Sequence, residues 1–416
     1  MSGKYIFYLV LSVFGVSDSP SLYGQVDTTA YPFIKYELNN IEHPDSSRTL
    51  DGFWQQYFNM LQFKDEQLNI VHFGGSHIQA DIYTHFLRDT FQMANFGLPG
   101  GRGFLFPYTA AGTNNPYNYK VAYTGNWEGH RSSVNKHDAV WGVVGITTTT
   151  FSEEASITIS FRDTIPEPRI TRLLLMSNIS DSTYSLLSDS ISGLSHIDTT
   201  RDGYLLLYFN QPVDSFSLYF KQLHEGAELS LFGMVAESDD PGIVYHALGV
   251  NGSSFRSFAK CELFNEQLPY LHPDLVVVSI GTNDTSDPDF DPDEYKERYA
   301  SFIEQVLAVN PHCAILLTVP NDSYVRRRYH NKNLEDARRV IYELSVTYRT
   351  AVWDLYSIMG GAYSAKKWRN VKLMKSDLVH FTRDGYLLKG ALMYEAMMED
   401  YNVWLKNQEM LDPINR

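Results

Sequence analysis

The chain has 416 residues, 44% of them hydrophobic and 20% charged, with a formal net charge of −15. This is the make-up of an ordinary globular protein, long enough for two or three domains with sizeable cores. The acidic balance argues against non-specific attachment to nucleic acid or to anionic membrane surfaces. Aromatic residues make up 14% of the chain. Two readings fit them: strands that need Tyr and Phe, or flat faces that stack on sugar rings.

The first residues read as an export signal, expected over 1–24. Lys4 supplies a positive charge, and Tyr5 to Val16 is an apolar run too short to span a bilayer as an ordinary transmembrane helix. Cleavage is expected near Gly24–Gln25, with Leu22 where a small residue is usual. No cysteine follows the run, which argues against a lipid anchor, and no later stretch is long and apolar enough to span. The expected mature protein is periplasmic or secreted, without stable membrane insertion. Its two cysteines, Cys261 and Cys313, sit in apolar-looking segments and read as buried free thiols rather than a zinc site.

Residues 25–68 form a polar lead-in followed by a helix. Phe53, Trp54, Tyr57, Phe58 and Leu61 recur at helical spacing over Leu50–Leu61. Ile70–Gly74 is the first strand, and Ile78 to about Met93 the first helix. After Gly97 the texture changes. A breaker-rich loop containing Gly100-Gly101-Arg102-Gly103 opens a region where short alternating β runs are separated by turn residues. Examples are Ala155–Phe161, Arg172–Met176, Gly203–Phe209, Ser215–Phe220 and Glu228–Phe232. This pattern, over 99–240, predicts an antiparallel sandwich. From Gly242 strands alternate with helices again: strand Ile243–Leu248, a short helix near Ser253–Phe264, strand Asp274–Ile280, helix Pro292–Val309, strand Cys313–Val319, helix Leu334–Tyr348, strand Ala351–Leu355 and helix Arg383–Tyr401. Such alternation predicts a doubly wound parallel sheet. The α/β domain is therefore expected over 69–98 and 241–404, with the sandwich inserted after its first βα unit and a tail over 405–416.

Open α/β sheets place their sites at the carboxyl ends of strands, and four features of this chain fall there. Ser76 follows the first strand and Gly75, at a helix start, where it reads either as a nucleophile or as a plain N-cap. Gly252 follows the second strand, Asn283 the third, and Asp377-Leu378-Val379-His380 precedes the last helix. A hydrolytic serine needs a base, a group that orients the base, and donors for the oxyanion. His380 and Asp377 can supply the first two. The Ser76 and Gly252 N–H groups and the Asn283 amide can supply the third. Singly, each has a bland reading as cap, turn glycine, Asx-turn or structural pair. An α/β-hydrolase elbow would need glycine where Ile78 stands. His72, His77 and His85 lack the spacing of a metal site, so no metal and no cofactor is expected. His77 is expected to line the site entrance or cap the helix.

Gly74-Gly75-Ser76, Gly252, Gly281-Thr282-Asn283-Asp284 and Asp377–His380, in that order, resemble the four blocks of the SGNH (GDSL-type) hydrolase superfamily. The extended first block GGSHIQAD, the Gly100–Gly103 motif and the position of the insert are similar to those of exported bacterial peptidoglycan O-acetylesterases. The resemblance implies a flavodoxin-like sheet of strand order 2-1-3-4-5 and a carbohydrate-binding-like insert. It also implies a serine esterase that removes acetyl groups from a glycan through an acetyl-serine. The departure is Gly75, where the superfamily usually has Asp; that residue is not a triad member, so activity is expected to survive. The alternatives carried forward are an esterase for other acetylated polysaccharides or lipids, an O-acetyltransferase, and a non-catalytic glycan-binding protein. Within the insert, Tyr117, Tyr119, Tyr123, Trp127 and Trp141 read either as sugar-stacking faces or as sandwich core.

Overall fold

The protein is described here by a computed structural model covering residues 28–94, 98–162 and 169–411. The expected export segment lies outside the described residues. No helix among them is long and apolar enough to cross a membrane.

Strand β1, Gln67–Gly74, is an interior strand of the α/β domain. The chain leaves it for the insert, made of β2 (Gly103–Leu105), β3 (Tyr119–Thr124), β4 (Trp127–Arg131), β5 (Ile146–Thr150), β6 (Glu154–Phe161), β7 (Ile170–Ser177), β8 (Tyr184–Leu186), β9 (Leu194–Thr199), β10 (Leu205–Val213), β11 (Ser215–Gln222) and β12 (Leu229–Glu237). It returns as β13 (Gly242–Gly249), β14 (Leu275–Ser279), β15 (Ala314–Thr318), a small hairpin of β16 (Tyr324–Val325) and β17 (Tyr329–His330), and β18 (Ala351–Trp353).

One sheet has the order β13-β1-β14-β15-β18, every neighbour parallel. Counted within the domain this is 2-1-3-4-5, as expected. Alternate residues of each strand feed opposite faces. Leu275 and Val277 join a core with the helices Tyr83–Ala94 and Arg383–Leu411, while Val276 and Val278 join the core of the other face. Both faces are covered, which is why these strands read as continuous apolar runs. The insert consists of two antiparallel sheets, β4-β5-β12-β7-β10-β9 with β2 on β12, and β3-β6-β11-β8. Its core is continuous with the second face of the parallel sheet.

Three differences from the sequence reading have physical causes. The first helix is not continuous. A short helix Ser76–Gln79 ends at a break around Asp81, which takes a left-handed φ of 43°, and the helix resumes at Tyr83–Ala94. Asp81 turns its carboxylate inward there to Thr84, Arg88 and Arg102. The last helix continues past Tyr401 to Leu411, where Trp404 stacks on Tyr401 and packs against Phe58. The lead-in is docked rather than merely extended. Glu42 exchanges backbone hydrogen bonds of 2.8 and 2.9 Å with Val352, shielding the edge strand β18.

Candidate active site

The register of the parallel sheet brings three loops together. Gly74 pairs with Gly249 of β13 on one side and Ser279 of β14 on the other. The segments that follow, Gly75-Ser76, Val250–Ser253 and Ile280–Asn283, therefore emerge at one edge, where the chain order switches direction about β1. Gly249 is required by this convergence. A Cβ there would lie 2.2 Å from the Gln79 backbone nitrogen.

Ser76 is the first residue of its helix, and the N-cap position belongs to Gly75, without a side-chain capping bond. The plain-cap reading of Ser76 therefore fails. Its hydroxyl instead donates to His380 Nε2 at 2.7 Å. The other imidazole nitrogen, Nδ1, stands 3.0 Å from Asp377 Oδ2. Asp377 Oδ1 accepts the backbone N–H groups of Val379 and His380, both at 2.9 Å. Burial alone would raise this carboxyl, but those two N–H groups and the imidazole outweigh it and hold it below its ordinary value. The turn that makes this possible puts Leu378 at φ 59°. For a branched residue that costs about 1–3 kcal/mol. Tyr324 N–H donating to Leu378 O at 3.1 Å and Asn321 Nδ2 donating to Val379 O at 3.2 Å hold it in place.

Of the three predicted oxyanion donors, Asn283 lies against the serine loop, while the Ser76 and Gly252 N–H groups stand on the segments that follow β1 and β13. Among the described residues, neither the Ser76 nor the Gly252 N–H has an acceptor. Asn283 Nδ2 donates one hydrogen to Ser253 O at 2.8 Å, which leaves its second hydrogen unassigned. A Cβ on Gly75 would lie 3.2 Å from that same nitrogen. The serine loop closes without a carboxylate at position 75, because the Gly75 carbonyl accepts the N–H groups of Ile78 and Gln79 at 3.1 and 3.0 Å. Next to Asn283, burial pushes the Asp284 carboxyl up to about 7, and its Oδ1 accepts the Phe255 N–H.

His77 neither caps the helix nor lines an entrance. It is buried behind the site, 5.2 Å ring to ring from His380, bonded to the Tyr386 hydroxyl, and held neutral by burial and then by Lys389. His72 is buried in a network with Tyr245, Ser279 and Tyr83, and His85 pairs with Asp89. Among the described residues no group of three His, Cys, Asp or Glu is placed to hold a metal ion. Cys261 and Cys313 are free and buried.

Several residues that frame the site were not singled out from sequence. Gln79 accepts the Asn251 N–H at 2.7 Å and donates to Asn114 O at 2.8 Å, tying the serine block to the Gly252 block and to the insert. Ser133 donates to Asn251 O at 2.9 Å. Tyr117, one of the aromatics the sequence did single out, is 42% exposed, hangs its backbone on Ala80 O and lies under Arg383, three residues beyond His380. Gln79 lies three residues from Ser76 in the extended first block, which is the one signal sequence offered. Of the other aromatics, Tyr119 and Trp141 are buried and Trp127 packs on Phe220, so they serve the sandwich core, whereas Tyr123 is exposed. A cavity of about 460 Å³ opens on the sandwich, lined by Glu128, His130, Phe151, Tyr204 and Glu228 among others.

The fold is a parallel α/β sheet of the SGNH type with an inserted β-rich module. Residues 230–388 match the GDSL-like Lipase/Acylhydrolase family, so the chain carries a GDSL/SGNH lipase-acylhydrolase domain and is an enzyme of the carboxylic ester hydrolase class. A solved structure of a peptidoglycan O-acetylesterase matches with a TM-score of 0.72 at 20% identity, over 87% of this chain and 99% of that one. A lipase/acylhydrolase from Enterococcus faecalis matches at 21% identity over 37% of this chain and 75% of its own, with a TM-score of 0.31. An acetylxylan esterase from Geobacillus stearothermophilus matches at 18% identity over 39% and 73%, with a TM-score of 0.30. No curated protein matches the chain by sequence.

Proposed function

We propose that this protein is an exported serine esterase that removes O-acetyl groups from peptidoglycan through an acetyl-serine intermediate. The observation that carries the reading is the unbroken hydrogen-bond chain from the Ser76 hydroxyl through His380 to Asp377. The likeness of fold to a peptidoglycan O-acetylesterase, spanning sheet and insert alike, supports the choice of glycan. The charged and apolar pattern of residues 1–24 supports export.

In this reading Ser76 Oγ bonds to the acetyl carbonyl carbon as His380 Nε2 takes its proton. Asp377 keeps Nδ1 protonated and stabilises the imidazolium. The carbonyl electrons move onto the oxygen, which receives hydrogen bonds from the Ser76 and Gly252 N–H groups and the free hydrogen of the Asn283 amide. Losing one such donor costs on the order of 10²–10³ in rate. Collapse breaks the bond to the sugar oxygen, which leaves with the proton from Nε2. Water, deprotonated by His380, then attacks the acetyl carbon; the bond to Ser76 Oγ breaks, Oγ takes the proton back from Nε2, and acetate leaves. The steps use this chain's own groups throughout.

The test is acetate release from O-acetylated peptidoglycan and from acetylated xylan side by side, with Ser76→Ala as control. Release from peptidoglycan that vanishes in Ser76→Ala is expected. Full release by that variant would sink the mechanism, and release from xylan alone would sink the choice of glycan.

A further inference from the structure

The Val250–Ser253 loop is a β-turn. Its Ser253 N–H donates to Val250 O at 3.0 Å, with Asn251 and Gly252 at the two central positions. Gly252 has φ 84°, while Asn251 is not among the positive-φ residues. That combination is a type II turn. Its central peptide, between Asn251 and Gly252, is the one whose orientation separates type II from type I, and a glycine at the second centre tolerates both. The same peptide carries the Gly252 N–H. In a planar trans peptide the C=O and N–H point in opposite directions. Whatever holds the Asn251 carbonyl therefore aims the Gly252 N–H.

What holds it is Ser133, whose hydroxyl donates to Asn251 O at 2.9 Å. Ser133 belongs to the inserted module, in the connection between β4 and β5. It sits directly against the turn, since a Cβ built on Gly252 would lie 3.4 Å from its Oγ. Its connection is anchored on both modules: Ser132 N–H bonds to Gly145 O, and Lys260 Nζ to Ser132 O at 3.1 Å. The preceding peptide is pinned separately, by the Asn251 N–H on Gln79 Oε1, and the Asn251 side chain donates to Asn114 Oδ1 at 2.7 Å. The central peptide is thus held on its carbonyl side by one hydroxyl from the insert.

We propose that Ser133 is a positioning residue of the oxyanion hole, supplied by the inserted sandwich to lock the Asn251–Gly252 peptide with its N–H towards the reacting carbonyl. The proposal rests on reading Ser76 as nucleophile and Gly252 N–H as an oxyanion donor. It gives the insert a part in the chemistry of a small ester, apart from any part in holding a glycan. A hydrogen bond to the carbonyl also polarises the peptide and strengthens its N–H as a donor.

The experiment is steady-state hydrolysis of 4-nitrophenyl acetate by the full-length protein and by Ser133→Ala, Ser133→Thr, Ser133→Val and Ser76→Ala, with thermal unfolding of each. A released peptide populates both turn types, so kcat of Ser133→Ala should fall about 5- to 10-fold, on the scale of one lost hydrogen bond. KM should stay within about twofold, because the oxyanion forms only in the transition state. Ser133→Thr keeps the hydroxyl and should restore most of kcat; Ser133→Val has the same shape without it and should not. The Thr and Val pair decides the matter if the alanine variant folds poorly. Unchanged kcat in the variants lacking the hydroxyl, equal loss in Thr and Val, or a change confined to KM would each overturn the proposal. Ser76→Ala separates the two levels. If it stays active, the underlying mechanism fails. If it is inert while Ser133→Val keeps full kcat, only the role of Ser133 falls.

Discussion

Asp81 and Arg102 meet at 3.2 Å, both nearly fully buried, across the seam between the α/β domain and its insert. One ends the extended serine block and the other lies in the glycine-rich motif that opens the insert. Arg88 completes the cluster at 3.4 Å, and Arg102 lies over the rings of Tyr119 and Phe161. The extended first block and the glycine-rich motif each supply one half of a buried ion pair.

This pair makes a prediction about acid stability. Burial alone would raise the Asp81 carboxyl, but Arg88 and then Arg102 pull it down to about 2, against 3.8 for the free group. A carboxyl whose folded pKa is depressed contributes stability that is present above its unfolded pKa and lost as the pH falls through the folded one. The window is therefore about pH 4 down to pH 2, and the contribution is on the order of a few kcal/mol. Asp81→Asn should cost about 3–5 kcal/mol at pH 7, because two buried guanidinium groups lose their counter-charge. Urea unfolding at pH 7 and pH 2.5 checks both points: the gap between wild type and variant should narrow in acid.

Gly75 makes a prediction about the departure from the usual block. Its φ of −94° lies outside the left-handed region that favours glycine. Space is the constraint, since a Cβ would come 3.2 Å from Asn283 Nδ2. Gly75→Ala should fold with an unchanged Tm yet lower kcat on 4-nitrophenyl acetate about 10-fold, part of the 10²–10³ that full loss of an oxyanion donor costs. An alanine variant with wild-type kcat would show that Asn283 gives way without consequence.

Tyr117 makes a prediction about the polymer. It is the exposed aromatic of the insert tied both to Ala80, four residues after Ser76, and to Arg383, three residues after His380. A ring so placed can stack on a sugar next to the ester. Tyr117→Ala should raise KM for O-acetylated glycan about 5- to 10-fold, the scale of a stacking contact, and leave KM for 4-nitrophenyl acetate alone. Equal effects on both substrates would point to a distorted site instead.

Lys389 makes a prediction in which removing a buried charge stabilises, where for Asp81 it destabilises. It is 5% exposed, lies 4.0 Å from the centre of the Tyr83 ring, and is pushed by burial down to about 7 from 10.5. Between those values the unfolded chain binds more protons than the folded one, so stability rises with pH from about 7 to 10.5. Below pH 7 the cost of burying the charge is present in full, on the order of a few kcal/mol. Lys389→Met should therefore raise stability by roughly 3 kcal/mol at pH 6, with the gain shrinking towards pH 10. Thermal unfolding across that range checks it, and a gain independent of pH would refute it.

The α/β part was legible because its signals are local. The run Leu275–Ser279 is apolar at every position but the last, since helices cover both faces of β14. A strand that ends in glycines before Ser76 announces a site at its carboxyl end. Other features were hidden for a common reason. The helix break at Asp81 carries no glycine or proline, and it arises because Arg88 and Arg102 draw the carboxylate inward. The lead-in reads as polar and extended, but Trp353 and Leu392 bond to Asn39, and Val352 pairs with Glu42.

By itself, then, the sequence determined the kind of sheet, the place of the insertion, and the residue types gathered at the strand ends. Hydrophobic period and turn chemistry act over a few neighbouring residues and are written in order along the chain. Only the tertiary structure decided that Ser76 bonds His380 rather than capping its own helix, that His77 stands behind the site, and that Ser133 reaches the Asn251 carbonyl. Those contacts join residues 304, 303 and 118 positions apart. A hydrogen bond between groups so distant depends on the register of β1 with β13 and β14 and on how the two modules pack, and no local pattern encodes either.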